Sequence, residues 1–315
     1  MNRTAVPRLT AAVCAVTAVA SLALTGCTAG APTARQTATA AAAASRLPDL
    51  TWAEGLRVSD AEQRLTAQCM RRHGFRFWEE RTLSLAESRP VGYVQDDVVW
   101  AREHGYGSRI MAKEDRARLR NPNLAYRGTL SPARRIAYDA AMDGGREAAL
   151  LKSRAPSGGT ITKQSGGCAA EAERKLYGDP AAWFRTDTTV SNLRPLYVDK
   201  LLRDRQFTAA VRAWSRCMGR AGHPYPDPDA ARQATRDHAA GQSRAEEARS
   251  FAAETRIAVA DATCARTVSL RSVGERREAH YVGELRGKYG AALDTYRQIG
   301  RRALARAERI APART

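Results

Sequence analysis

Apolar residues recur every three or four positions through most of the chain beyond residue 50, which is the spacing of one face of an α-helix. The longest such segment runs from Glu275 to Ala311, where the apolar residues form a seam suited to packing against other helices. The alternation of strands and helices that builds a parallel sheet is absent, which counts against the two-lobed solute-binding folds. The pattern predicts a mainly α protein with at most a few short strands and a long C-terminal helix.

One helical segment is repeated loosely in the two halves of the chain. The stretches 61–75 and 211–223 both contain the pattern Cys-Met-x-x-x-Gly, which ends at Gly74 and at Gly222. An apolar-periodic run precedes each copy, and glycine commonly follows the last turn of a helix. We therefore predict two equivalent helix ends, one in each of two loosely repeated helical units.

These two copies suggest a division of the chain into a first helical unit, residues 46–178, and a second, residues 179–315. Gly178 closes a predicted helix and the Asp-Pro pair after it is a common helix start, which places the division there. The alternative is that 46–315 forms one domain, because about 270 residues still suit a single large domain.

Local start and stop signals set the predicted helix boundaries. Ser59 and Glu62 have the spacing of a capping box, which predicts that the first Cys-Met helix begins there and ends near His73. Ser131 before Pro132 predicts another helix start. Further helices are predicted over the following segments: Gln95–His104, Cys168–Tyr177, Val190–Leu202, Asp204–Arg220 and Ser243–Leu270. Pro195 suggests a bend in the third of these.

Other segments carry turn residues or alternate in polarity and are predicted to be non-helical. Residues 75–78 alternate apolar and basic side chains, which suggests a short strand or an extended arm. Residues 105–129 are predicted to be irregular, and residues 150–167, rich in serine and glycine, are predicted to form a loop. In the helix between them, we expect the buried face to be Ile136, Ala140 and Leu130.

The N-terminus has three successive parts. Two arginines precede the apolar run from Ala11 to Leu24, which is too short to span a bilayer. Leu-Thr-Gly-Cys follows at residues 24–27 and resembles the lipobox of bacterial lipoproteins. The resemblance implies removal of a signal peptide, residues 1–26, and attachment of a diacylglyceryl group to the thiol of Cys27.

A low-complexity segment joins Cys27 to the helical body. Residues 28–45 are rich in alanine and threonine and offer few side chains to bury, so we expect a flexible tether over residues 27–45. Lipid on Cys27 would hold the protein at the outer face of the cell membrane. Together with the lipobox, the paired Cys-Met motifs resemble those of a group of actinobacterial lipoproteins, a resemblance that implies no particular activity.

The cysteine content fits an oxidising compartment. Six cysteines are present, of which one would leave with the signal peptide and one would carry the lipid. An even number of remaining cysteines outside the cytoplasm predicts two disulfides, for which three connectivities are possible. The repeated motif favours Cys69–Cys168 and Cys217–Cys264, each joining a Cys-Met helix to the next helix downstream.

The formal net charge of +18 at pH 7 makes the chain strongly basic. A basic body outside the membrane is expected to attract anionic lipid headgroups, anionic cell-wall polymers or another envelope protein. Export disfavours a nucleic-acid partner.

No motif in the sequence identifies a catalytic or cofactor site. Histidines follow both Cys-Met motifs, at His73 and His223, but cysteines engaged in disulfides are not thiolate ligands, so we predict no metal and no cofactor. The Gly-x-Ser-x-Gly nucleophile motif is absent. The carboxylate pairs 79–80 and 96–97 could in principle supply a general acid and base, yet adjacent residues usually point apart.

Aromatic residues directly after the two Cys-Met helices are the candidates for an interaction surface: Phe75, Phe77, Trp78 and Tyr225. A disulfide at the end of each helix would hold their backbone still. We therefore expect a non-catalytic accessory or interaction module at the cell envelope. The alternatives are an enzyme that acts on a cell-wall polymer and a small-ligand-binding protein.

Overall fold

The computed structural model describes residues 50–236 and 244–314. It is mainly helical with one two-stranded sheet and a long C-terminal helix, which confirms the predicted fold class. The helices are α1 Trp52–Arg72, α2 Val98–His104, α3 Ser108–Leu119, α4 Pro122–Thr129, α5 Pro132–Asp143, α6 Gly167–Tyr177, α7 Pro180–Ser191, α8 Val198–Arg203, α9 Arg205–Arg220, α10 Pro228–Arg236, α11 Arg244–Thr267 and α12 Leu270–Ala307. The strands are β1 Ala149–Arg154 and β2 Thr160–Ser165.

The first Cys-Met helix, α1, begins two turns before the predicted start. Thr51 is its N-cap and forms a capping box with Glu54: the Thr51 hydroxyl accepts from the Glu54 N–H at 3.3 Å, and the Thr51 N–H donates to Glu54 Oε2 at 2.6 Å. The predicted capping box at Ser59 is wrong, because that residue lies inside the helix. The predicted end is confirmed, since α1 stops at Arg72 and Gly74 has a φ of +75°.

Two disulfides tie the Cys-Met helices to later helices. Cys69 of α1 is bonded to Cys168 of α6, and Cys217 of α9 is bonded to Cys264 of α11. These are the pairs that the repeated motif favours. The bonds close segments of 99 and 47 residues, so each removes much of the conformational freedom of the unfolded chain.

Helix α12 packs against helices from both halves of the chain. It contacts α1 and α6 of the first half, and α7 and α9 of the second. One apolar core lies at its C-terminal end, where Ala303 and Ala307 are fully buried against Val58 and Leu176. Small alanines allow the helix backbones to approach closely, and the larger side chains of α1 and α6 fill the remaining space.

A second core surrounds the disulfide of the second half and contains a polar centre. Trp214 and Met218 of α9 are fully buried there. Asp261 of α11 is also fully buried and accepts hydrogen bonds from Trp214 Nε1 at 2.8 Å and from the Tyr106 hydroxyl at 3.0 Å. The two donors satisfy a carboxylate that would otherwise be costly to bury, although burial still raises the pKa of Asp261 to about 6.

Three predictions about the first half are wrong. Residues 105–129 contain α3 and α4 instead of irregular structure, and residues 150–167 contain the hairpin of β1 and β2 instead of a loop. Of the two alternatives for residues 75–78, the strand is absent and the extended arm is not contradicted. On α5 the expected face is reversed, because Ile136 is 72% exposed whereas Tyr138 and Ala141 are buried.

In the second half, the helix predicted over residues 190–202 is interrupted at Pro195, the position at which the sequence suggested a bend. Helix α7 ends at Ser191, a 3-10 turn covers Arg194–Leu196, and α8 follows. Proline lacks the N–H that a continuous helix requires, which accounts for the break. The predicted signal peptide, Cys27, the tether and the helix start at Ser243 lie outside the described residues.

Candidate functional site

A long open groove of about 1620 Å³ runs between three parts of the molecule. One wall is the loop of residues 84–97 together with the start of α1, the second is formed by α8 and α9, and the third is the N-terminal part of α12. Its apolar lining includes Trp52, Tyr93, Val198, Leu201, Phe207 and Val211. Its volume exceeds the usual range for drug-sized ligands, so the groove has room for an extended molecule.

Arginine side chains fix the loop wall of the groove. Arg271 of α12 donates to Asp96 at 2.7 Å and to the Val94 carbonyl at 2.9 Å, and Arg89 donates to Asp97 at 2.8 Å. Burial alone would raise the pKa of Asp97, but the Trp100 N–H and the Arg89 guanidinium outweigh it, and the pKa of Asp97 is lowered. Both carboxylates are thus engaged in holding the loop.

One face of α12 points into the groove and carries Arg271, Gly274, Glu275 and Glu278, spaced as neighbours on a helix. A Cβ atom at Gly274 would lie 3.4 Å from the Phe207 ring, so glycine allows α9 to approach here. Glu278 accepts a hydrogen bond from the Tyr197 hydroxyl at 2.6 Å. Glu275 differs, because its Oε1 is buried and accepts no hydrogen bond from any described residue.

Two arginines of the groove have free side chains. Arg194 precedes α8, Arg212 lies on α9, and both are exposed. Within residues 50–236 and 244–314, neither guanidinium group forms a hydrogen bond or an ion pair. The groove therefore combines an apolar surface with two available cations and one unsatisfied carboxylate oxygen.

A buried carboxylate cluster lies outside the groove, between α1, α6 and β2. Glu62 accepts from the Tyr177 hydroxyl at 3.3 Å, and Lys163 donates to Glu173 Oε1. Burial raises the pKa of Glu62 to about 7, and the negative charge of Glu173 adds to the rise. Burial also raises the pKa of Asp187 nearby. These groups do not line the groove.

The aromatic residues proposed from sequence are separated in the fold. Phe75 is only 4% exposed and contacts the Tyr138 ring edge-on at 5.3 Å, so it belongs to the core and is not a surface residue. Phe77 packs partly buried on the same core, and Tyr225 packs on the core of the second half. Trp78, at 38% exposed, is the member that reaches the surface. The four do not form one interaction surface.

The residues around the first disulfide satisfy one geometric requirement for metal binding. Ligand atoms of Cys69, His73 and Cys168 lie within 4.8 Å of one another. Both sulfurs are in the disulfide, however, so neither is a thiolate that could bind a metal. The arrangement is accounted for by a histidine at the C-cap of α1 beside the bond.

The groove residues were not identified from sequence, apart from Asp96 and Asp97 as an adjacent pair. A signal for one of them was present: Glu275 is followed at helical spacing by Glu278, on a segment whose other residues predict a packing seam. Carboxylates that interrupt one face of such a helix indicate a polar site. The partners on α8, α9 and the loop could not be found, since no local pattern brings these segments together.

Comparison of the chain with protein-family models found no match, and comparisons with curated proteins and with solved structures found none either. Among the helices of the described residues, none is both long and apolar enough to cross a membrane.

Proposed function

We propose that the chain is a lipid-anchored protein of the outer face of the cell membrane that binds an extended ligand non-catalytically in the groove. The N-terminal signal pattern with Cys27 and the two disulfides support the location. The observation that carries the binding role is the groove of about 1620 Å³, in which an apolar surface is combined with unpaired charged groups.

Three of the carboxylates that line the groove are engaged by partners, which argues against acid–base catalysis through them. Asp96 and Asp97 are held by arginines, and the lowered pKa of Asp97 keeps it from acting as a general acid near neutral pH. Glu278 is engaged by Tyr197. Binding is therefore the role that this arrangement favours.

Site-specific photo-crosslinking in intact cells tests the groove. A photoreactive amino acid at Leu202, which lines the groove and is 45% exposed, is expected to capture one recurrent species. The same amino acid at Ile136, exposed on α5 away from the groove, is the control. Identical products from both positions, or none from Leu202, would contradict the binding role.

Mass spectrometry of the mature protein tests the location. We expect the N-terminal residue to be Cys27 with the added mass of a diacylglyceryl group. Substitution Cys27→Ser is expected to release the protein from the membrane fraction. An unmodified peptide that runs through residue 27 would rule out the anchor.

An enzyme that acts on a cell-wall polymer is the second candidate, favoured by one observation. Glu62 has a pKa of about 7 beside Glu173, and a carboxyl poised near neutral pH suits a general acid. Hydrolysis of purified cell-wall polymer that Glu62→Gln abolishes, without change in the unfolding midpoint, would establish this role over the binding role.

A further inference from the structure

The unsatisfied oxygen of Glu275 defines what a ligand of the groove must supply. Oε1 is shielded from solvent by the protein and accepts no hydrogen bond from the described residues. A buried carboxylate oxygen without a donor is energetically costly, and a hydrogen bond to a charged group is stronger than one between neutral groups. Glu275 is half-buried and lines the groove, so a ligand ammonium or guanidinium group that reaches the carboxylate from the groove can pair with its charge.

The free arginines define a second requirement. Arg194 and Arg212 are exposed on the wall formed by the turn before α8 and by α9, and they bind no acidic group among the described residues. A ligand carboxylate can pair with them at little cost in desolvation, because both guanidinium groups stay close to water. A matching ligand thus carries charges of both signs on an apolar body.

We propose that the groove binds an extended peptide segment of an envelope protein, with a lysine or arginine of that segment at Glu275; this rests on the proposed function of the groove. Side chains of an extended peptide alternate in direction, so apolar residues can contact Phe207 and Val211 while charged residues reach the walls. An anionic lipid surface fits Arg194 and Arg212 but brings negative charge towards Glu275, so the peptide is favoured.

The start of α1 adds an argument about where this peptide lies. Thr51 and Trp52 line the groove, and the segment that leads to Cys27 ends directly before them. Residues 28–49 separate this edge from Cys27, the proposed site of the lipid, so the edge and the anchor are close in sequence. The bound peptide is therefore a membrane-proximal segment of its protein.

Fluorescence anisotropy with two labelled peptides tests the inference. Both alternate leucine and serine and carry one glutamate near the end, and they differ at one central position, lysine or norleucine. The mature lipidated chain is held in phosphatidylcholine nanodiscs. We expect the lysine peptide to bind about tenfold more tightly than the norleucine peptide, because it adds one charge-assisted hydrogen bond.

Variants separate the two charge requirements. Glu275→Gln is expected to abolish the preference for lysine, whereas Glu247→Gln, on the exposed surface of α11, is expected to keep it. Arg212→Ala is expected to weaken both peptides equally, and Arg216→Ala, exposed one turn later on α9, is expected to change neither. Unchanged unfolding midpoints show that the variants fold.

Three outcomes would overturn the inference. Equal binding of the two peptides, or a lysine preference that survives Glu275→Gln, removes the role of Glu275 but leaves the groove as a binding site. No binding of either peptide, together with Arg212-dependent binding to phosphatidylglycerol vesicles, assigns the groove to anionic lipid instead. Failure of the proposed function itself is detected separately, by the crosslinking at Leu202.

Discussion

At the scale of single residues, one buried ion pair fastens the C-terminus to the first helix. Asp60 of α1 is only 1% exposed and accepts from Arg314 Nε at 2.8 Å and from a terminal guanidinium nitrogen at 2.6 Å. Arg314 also donates to the Leu83 carbonyl at 2.9 Å. One side chain thus joins the end of the chain, α1 and the loop that leads into the groove wall.

Removal of Arg314 is expected to destabilise the protein strongly. Arg314→Ala would leave Asp60 buried without its counter-charge, and breaking a buried pair in this way costs about 3–5 kcal/mol. The free energy of unfolding, measured by urea denaturation at neutral pH, checks the prediction. Arg302→Ala, exposed on α12, is the control and is expected to have little effect. A loss below about 1 kcal/mol for Arg314→Ala would contradict the buried pair.

Glu62 gives the stability a pH dependence of defined sign. Its pKa is raised to about 7 in the folded protein, so between pH 4.5 and pH 7 the folded state binds more protons than the unfolded state. Stability therefore falls as the pH rises through this window. In the wild type, the free energy of unfolding is expected to fall by roughly 2–3 kcal/mol across this window because of Glu62. Glu62→Gln cannot ionise, so it is expected to lack this decrease and to be more stable than the wild type at pH 8.

Urea denaturation at pH 5 and pH 8 measures this difference. Burial also raises the pKa of Asp261, to about 6. Asp261 therefore makes the same contribution to the pH dependence of stability in the wild type and in Glu62→Gln. Only the difference between them reports on Glu62. Glu247→Gln is the matched control on the surface, and parallel curves for the wild type and Glu62→Gln would be incompatible with a raised pKa.

Asp60 and Glu62 also show why the start of α1 was predicted wrongly from sequence. The Ser-x-x-Glu spacing at 59–62 predicted a helix start, yet Asp60 and Glu62 lie more than two turns inside α1 and have tertiary partners. The partner of Asp60 is 254 positions away. A spacing rule describes short-range hydrogen bonds, so it could not distinguish this segment from a real capping box.

At the scale of elements, the two disulfides join helices that are distant along the chain. Replacing Cys69 and Cys168 by alanine is expected to lower the free energy of unfolding by about 4–5 kcal/mol, and replacing Cys217 and Cys264 by about 4 kcal/mol. The first loss is larger because the bond closes 99 residues instead of 47. Denaturation of both double variants in urea gives the comparison.

Met70, which lies beside the first disulfide, provides a reference variant for these changes in the free energy of unfolding. Met70→Leu alters a fully buried side chain beside the first disulfide but conserves its volume approximately, so the expected cost is below about 1.5 kcal/mol. If the double cysteine variants lost no more than Met70→Leu, the disulfides would not be major sources of stability.

Helices with strong local caps could be predicted from sequence, whereas their orientation could not. The structure confirms starts where Ser131, Asp179 and Asp204 accept hydrogen bonds from the following N–H groups. The buried face of α5 was predicted wrongly because Ile136 is exposed and Tyr138 is buried. Periodicity shows that a face is apolar, but here a tyrosine that packs on Phe75 determines which face turns inward.

The sequence of the hairpin of β1 and β2 contains a strand pattern, but the segment is also rich in serine and glycine. Residues 160–163 alternate threonine with larger side chains directly after two glycines at positive φ, which is a strand following a turn. Serine and glycine are typical of loops, so the segment was predicted to be a loop. Lys163 on β2 then pairs with the buried Glu173, which holds the hairpin against α6.

At the scale of the whole molecule, the groove exists only because four separate segments converge. The loop of residues 84–97, α8, α9 and α12 come from both halves of the chain. No motif spacing links them, so the groove could not be predicted even where the individual helices were. The connection that matters is Arg271, which joins α12 to a loop 175 positions earlier.

Arg271 is therefore expected to control the groove without controlling the fold. Arg271→Ala removes the bonds to Asp96 and the Val94 carbonyl, both at a partly exposed site where an ion pair contributes about 1 kcal/mol or less. Hydrogen exchange is expected to speed up in residues 89–95 while the unfolding midpoint changes little. Arg276→Ala, exposed on the same helix, should leave exchange in that loop unchanged.

Hydrogen exchange and peptide binding of Arg271→Ala show whether the loop wall of the groove depends on the Arg271 ion pair for its position. If loop exchange accelerates and the lysine peptide binds more weakly to Arg271→Ala, the position of the wall sets the affinity, because a mobile wall must be ordered again when the ligand binds. If exchange stays slow in residues 89–95, the bond from Arg89 to Asp97 and the packing of Tyr93 on Phe207 hold the wall by themselves. The groove would then be rigid before any ligand arrives, and Glu275 alone would remain to select what enters it.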